Sequence, residues 1–106
     1  MKHHRLEDMV KGWFVGDFDP VALRTPAVEV GVKEYKAGDR EAAHLHKVAT
    51  ELTVIVRGRA VMLGREWGPG DVVTVEPGEA TAFEALTDVL TVVVKTPSVA
   101  GDKYPA

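Results

Sequence analysis

Three residues of this chain have the types and the spacing to do chemistry. They are His44 and His46, separated by Leu45, and Glu51 five positions further on. On a β-strand, residues two apart project from the same face, so the two imidazoles stand side by side. Lys47–Thr50 can form a turn, and Glu51 then opens the next strand. If the two strands are antiparallel neighbours, Glu51 returns opposite the histidines. Two imidazoles and a carboxylate make a divalent-metal pocket by ligand type. Thr53 and Ile55 share the face of Glu51. Cysteine is absent, which excludes disulfides, thiolate metal sites and thiol catalysis. His3 and His4 lie near the start of the chain and read as solvent-exposed rather than as ligands.

The elements that must position these residues are strands. From Pro26 onward, Val28, Val30 and Val32 alternate with Glu29, Gly31 and Lys33, the period-2 signature of a strand. Ala42–Lys47, the β-branched stretch 52–56, Ala60–Leu63, 72–75, Thr81–Ala85 and Val89–Lys95 read as further strands. Gly38-Asp39, Gly64-Arg65-Glu66, Gly68-Pro69-Gly70-Asp71 and Pro77-Gly78 break them. Seven or eight short strands, with turn signals about every 8–12 residues, indicate an all-β sandwich or barrel. No crossover helix is evident for a parallel α/β sheet. Residues 1–24 differ from the rest. They form an irregular arm that carries Trp13, Phe14 and Phe18, and Leu6–Phe14 fits a short helix or a strand. Such an arm packs on its own domain or on a partner subunit. Residues 25–106 make the barrel and an extended tail.

Composition bounds the function. The 106 residues suffice for one domain. An apolar fraction of 45% with 27% charged residues is globular. No apolar run approaches the roughly 18 residues of a membrane span, and no apolar core follows the basic start of the chain. The net charge of −3, with no basic stripe, argues against a nucleic-acid partner. A cytoplasmic protein acting on a small molecule, with no membrane partner, is expected.

The frame around the histidines is specific. Gly38, five residues, His44, one residue, His46, four residues, Glu51, six residues and Gly58 resemble the first conserved motif of the cupin superfamily at every fixed position. The second motif is matched in part. Gly70 and Gly78 fall in place, and Asp71 is typical. Glu76 stands where a proline is expected, Thr81 where the third metal-binding histidine is expected, and Ala85 where an asparagine is expected. The likeness runs from Val28 to Lys95. It implies a small jelly-roll barrel of the single-domain, RmlC-like type, with a metal site inside its mouth. Cupins of this group hold the metal with three histidines and a glutamate. Here His44, His46 and Glu51 remain, Thr81 occupies the fourth position, and Glu79 is a stand-in by face parity.

The resemblance implies one divalent transition metal: iron, manganese, nickel or zinc. It also implies a menu of isomerases, lyases and dioxygenases acting on sugars or keto acids. Tyr35, Glu79 and Glu84 are the candidates for a catalytic acid or base, and Thr53, Ile55, Thr81 and Phe83 for the substrate pocket. A metal-dependent enzyme is the leading reading. A non-catalytic binding or sensing cupin, metal-free if Thr81 is decisive, is the alternative, and an accessory subunit docking through the arm is third. Cupins are commonly dimers, and Trp13, Phe14 and Phe18 buried across a two-fold axis would make a homodimer.

Overall fold

In the computed structural model, which describes all 106 residues, two single-turn 3-10 segments, Leu6–Asp8 and Val10–Gly12, lead into eleven strands. These are β1 (Trp13–Gly16), β2 (Leu23–Arg24), β3 (Glu29–Tyr35), β4 (Arg40–Leu45), β5 (Thr50–Arg57), β6 (Ala60–Met62), β7 (Arg65–Trp67), β8 (Val72–Val75), β9 (Thr81–Ala85), β10 (Val89–Thr96) and β11 (Tyr104–Pro105). They form two sheets, one in the order β2-β1-β3-β10-β5-β8 and the other β11-β4-β9-β6-β7. The sheets face each other as a jelly roll and are not joined into a closed barrel. No helix is long and apolar enough to cross a membrane.

Seven of the strands β3–β10 match the runs read from the sequence. β7 falls where Gly64-Arg65-Glu66 reads as a turn, because the hairpin tightens to Leu63-Gly64 and frees Arg65–Trp67 to pair with β6. The arm and the tail add the remainder. Leu6–Phe14, which fits helix or strand by sequence, is divided: two 3-10 turns, then β1. The arm is thus less irregular than its composition suggests, because β1 extends the first sheet beside β3. Two of its aromatics are used within the chain: Trp13 lies over Gly31, and the Phe18 ring packs against Gly16.

β10, the longest apolar run, lies in the interior of its sheet between β3 and β5. Its residues Val89, Thr91 and Val93 point inward and are buried. Between the sheets sits an apolar cluster of Ile55, Ala60, Met62, Val73, Val75, Phe83, Ala85 and Val89. The motif glycine Gly58 closes the turn from β5 to β6 at φ +87°, where a Cβ would lie 2.0 Å from the Asp88 carbonyl oxygen. Only glycine fits there.

One strand presents the face opposite to the one its alternation suggests. In β3 the buried residues are Glu29 and Gly31. Val30 and Val32 are half-buried on the other face, which the Val10–Gly12 turn packs against. The inner face of β3 therefore carries Glu29, Gly31, Lys33 and Tyr35. The valines found cover in the arm, and the interior here is polar.

Candidate functional site

The chain crosses from one sheet to the other between the histidines and the glutamate. β4, carrying His44, belongs to the second sheet, and β5, carrying Glu51, to the first. The expected hairpin between adjacent strands is thus replaced by a crossover, and the groups converge across the interior. His46 lies just past the end of β4 and is buried. The connecting turn is held from both sides. Asp102, a buried residue of the tail, accepts hydrogen bonds from the backbone N–H groups of Lys47 at 2.8 Å, Val48 at 3.2 Å and Ala49 at 2.9 Å. The Gly78 N–H donates to the His46 carbonyl at 2.7 Å. Burial alone would raise the Asp102 pKa, but the three backbone donors outweigh it and hold the carboxyl below its ordinary range.

The two imidazoles stand 5.3 Å apart between ring centroids and nearly perpendicular, at 83°. His44 Nδ1 lies 3.1 Å from the Ala42 carbonyl oxygen. A carbonyl can only accept, so Nδ1 carries the proton, and Nε2 of the neutral ring keeps its lone pair. His46 Nδ1 is 3.9 Å from Glu51 Oε2. Burial lowers the His46 pKa, with Lys95 and His44 adding to the effect, so this ring is neutral at neutral pH. Burial raises the Glu51 carboxyl, and Lys95 draws it partly back.

Around these groups lies a cavity of about 230 Å³. Its walls include His44, His46, Glu51, Thr53, Thr81, Phe83 and Tyr35, all singled out from the sequence. Thr81 sits directly across the ladder from His44. Its hydroxyl donates to the Ala82 carbonyl at 2.8 Å and accepts from the Leu63 N–H at 3.0 Å. Its proton and one of its two lone pairs are thus committed to backbone. The Tyr35 phenol donates to Glu41 at 2.8 Å, and its ring stacks on Phe83 with centroids 4.4 Å apart. Burial, then the Glu41 carboxylate, raises the Tyr35 pKa far above its usual value. The phenol therefore stays protonated, which argues against Tyr35 as a base.

Three candidates fall elsewhere. Ile55 shares the face of Glu51 and Thr53 as expected, but it is fully buried in the apolar cluster and does not line the cavity. Glu84 pairs with Arg40 at 2.6 Å, and Glu79 accepts from the Glu76 N–H at 2.9 Å within its turn. Both face a groove away from the histidines. The physical reason is parity: in β9 the buried positions are Thr81, Phe83 and Ala85, so Glu84 must face outward. Glu79 shares the parity of Thr81 but precedes the strand.

The sequence reading missed the basic residues. Lys11, Lys33, Lys95 and Lys103 line the cavity together with Trp13 and Glu41. Lys33 has the parity of Tyr35, and Lys95 that of Val93, so the signal was present. The tail brings Lys103 to the cavity because β11 pairs with Leu45 and His44 at the edge of β4.

The donor set suits a divalent ion in kind. It offers two imidazoles, one oriented by a backbone carbonyl as metal-ligating histidines are, and a half-buried carboxylate. Rings sharing one ion at bond lengths of ~2.1 Å have centroids roughly 5 Å apart, close to the spacing of His44 and His46. Ligands of one ion lie about 3.0–3.4 Å from each other, so the His46–Glu51 gap is wider by about half an ångström or more. As placed, no three His, Asp or Glu side chains form a group that could hold a metal. Binding would require Glu51 and His46 to close that gap.

No known family model matches the sequence, and no curated protein matches it. Solved structures do. A double-stranded β-helix protein of Klebsiella pneumoniae superposes with a TM-score of 0.67 at 23% identity, over 73% of this chain and 69% of that one. The DMSP lyase DddQ of Ruegeria pomeroyi gives 0.74 at 20% identity, over 89% of this chain and 49% of that one, so this chain spans about half its length. The bacterial pirin YhhW of Escherichia coli, in complex with nickel(II), gives 0.69 at 14% identity, over 83% and 39%. The chain has the double-stranded β-helix fold of the cupins.

Proposed function

We propose that this protein is a metal-dependent cupin enzyme acting on a small polar substrate, of the sugar or keto-acid isomerase, lyase or dioxygenase type. His44, His46 and Glu51 hold one divalent transition ion: iron, manganese, nickel or zinc. The observation that carries this reading is the convergence of two imidazoles and a half-buried carboxylate on one cavity from two different sheets. The nickel complex of the pirin and the lyase among the solved structures with this fold support it. When bound, the ion supplies Lewis acidity or a site for dioxygen. The chain's own residues do the rest. The Tyr35 Oη–H, held on Glu41, can turn to donate a hydrogen bond to a substrate oxygen. Phe83 and Val93 narrow the cavity and limit water. Thr53 offers a buried hydroxyl beside Glu51.

A second reading is favoured by one observation: the three donors do not form a metal-holding group as placed. In that reading the cavity binds a small molecule without turnover. Elemental analysis of tag-free protein purified without chelator, beside His46→Ala, separates the two. About one ion per chain, lost in the variant, with oxygen consumption or substrate conversion on reconstitution, is expected for the enzyme. Absence of metal in both samples after reconstitution overturns it in favour of the binding module.

A further inference from the structure

A chain with a net charge of −3 gathers four lysines against two glutamates around its cavity. Two of the lysines are built into the walls. Lys33 projects from β3 and Lys95 from β10, and their Nζ atoms lie 5.3 Å and 4.9 Å from the Trp13 ring centroid. Trp13 reaches this place because its cross-strand partner is Gly31. A Cβ at Gly31 would come within 2.7 Å of the indole. The missing side chain lets the ring lie across the sheet against both ammonium groups.

The two lysines are not equivalent. Lys95 is paired with Glu29 at 3.4 Å, and Glu29 is itself held by the Ser98 hydroxyl at 2.9 Å. Lys33 is half-buried and has no ion pair and no hydrogen bond from its ammonium within the protein. Leaving a charge there without a counter-ion is costly. Burial lowers its pKa, and Lys11, Lys95 and Lys103 add to the effect, which the Glu41 charge only partly opposes. Glu41 is engaged by Tyr35, and Glu51 faces His46. Both carboxylates keep their charge, but neither forms an ion pair with the Lys33 ammonium, and four lysines face two glutamates here.

We infer that the cavity takes a small organic anion whose oxyanion group, a carboxylate or a phosphate, sits on Lys33 beside the Trp13 indole, with Lys95 as the second cation. This deepens the proposed function, since it rests on the same cavity being the substrate site. The volume of about 230 Å³ is below the roughly 300–1,000 Å³ of pockets for drug-sized ligands. The anion is therefore compact, and its remaining polar groups point toward His44, His46 and Glu51.

Calorimetric titration of the full chain at low ionic strength, both metal-free and metal-loaded, tests this with malonate, inorganic phosphate and neutral malonamide. Malonate or phosphate is expected to bind the metal-free protein, and malonamide at least about tenfold more weakly, the effect of one charge-assisted hydrogen bond. Lys33→Met should lose a similar factor, and Lys33→Arg should retain most of the affinity. Tighter phosphate binding identifies a phosphorylated ligand, and tighter malonate binding an organic acid. If Lys33→Met does not fold, the Trp13 indole N–H resonance of the wild-type protein replaces it, expected to move with the anion and not with malonamide. Equal binding of malonate and malonamide, unchanged affinity in Lys33→Met, or no anion binding by the wild type overturns the inference. Metal content is read separately. A metal-free chain that binds malonate keeps the anion site and loses the metal reading, and a loaded chain that ignores both anions does the reverse.

Discussion

The interior of this molecule has two parts with opposite chemistry, built by the same strands. Met62 and Phe83 belong to both parts. The apolar part adds Ile55, Val73, Val75, Ala85 and Val89. The polar part adds Lys33, Glu51, Thr53, Lys95 and the two histidines, with Val75 and Val73 the cross-strand neighbours of Glu51 and Thr53. β5 passes from one to the other along a single face: Glu51, Thr53, then Ile55. The apolar part supplies burial, worth about 25 cal/mol per Å² of apolar surface. The polar part returns little stability, since buried charges at best break even against their desolvation. Which face of a strand points inward is therefore one question, and whether that interior is core or cavity is another. If the two parts are independent, each should be damaged without the other.

The largest expected effect is Ile55→Ala. Ile55 is completely buried, and truncation should cost about 2–5 kcal/mol in urea unfolding. Metal per chain and anion affinity of the folded variant should stay unchanged. A variant that folds but has lost its metal would show that core and cavity are mechanically coupled, and the comparison would fail.

Asp102→Ala should rank next, because it strips three backbone N–H groups of their acceptor. About 2–3 kcal/mol of stability should be lost, together with metal affinity, since the freed turn lies between His46 and Glu51. The pH dependence has a definite sign. The folded carboxyl is held below its ordinary value, so its contribution is complete above the unfolded pKa of about 3.9. It is lost as the pH falls through the lower folded value. The wild-type stability should thus decline relative to Asp102→Asn below about pH 4, read from thermal unfolding across that range. A constant difference between the two proteins would mean that the carboxylate charge contributes nothing to the turn.

Gly31→Ala sharpens the comparison from the cavity side. The new Cβ would press on the indole at 2.7 Å, and overpacking of this kind costs about 1–3 kcal/mol. Because Trp13 lies against Lys33 and Lys95, anion binding should weaken while Ile55 and its neighbours keep their slow amide exchange. Unaltered anion affinity would place Trp13 outside the binding machinery.

Much of this was legible in the sequence, and the failures share one cause. The His44, His46 and Glu51 spacing, Gly58, and Thr81 in the third-histidine place depend on local order along the chain, and each was found by counting. The strands β3–β10, apart from β7, followed from apolar and β-branched runs between turn residues. What counting could not give was contact between sheets. It set His44 and Glu51 on adjacent strands, when a crossover separates them. It placed Ile55 in the pocket, because a period of two assigns a face and says nothing of what lies opposite. It gave β3 a period of two and no inner face, because nothing in residues 26–35 reveals that the arm covers the valines, and so Lys33 went unnoticed. Asp102 is 53 residues from Ala49, whose N–H it accepts, and no local pattern marks such a partner.

The smallest predicted effect tests the most delicate part of the polar side. Tyr35 belongs to both regions, with its ring on Phe83 and its hydroxyl on Glu41. Tyr35→Phe keeps the stacked ring and removes only the hydrogen bond. Glu41 lies at the cavity wall, so water can replace the phenol, and stability should fall by only about 0.5–1.5 kcal/mol. Function should respond more strongly. If the phenol donates a hydrogen bond to a substrate oxygen that gains charge, kcat should fall by about 10²–10³-fold, as for loss of one oxyanion donor, while metal content stays at the wild-type level. A loss confined to KM would instead make Tyr35 a wall of the cavity. In that case the chemistry on the polar side would rest with His44, His46, Glu51 and the ion they hold.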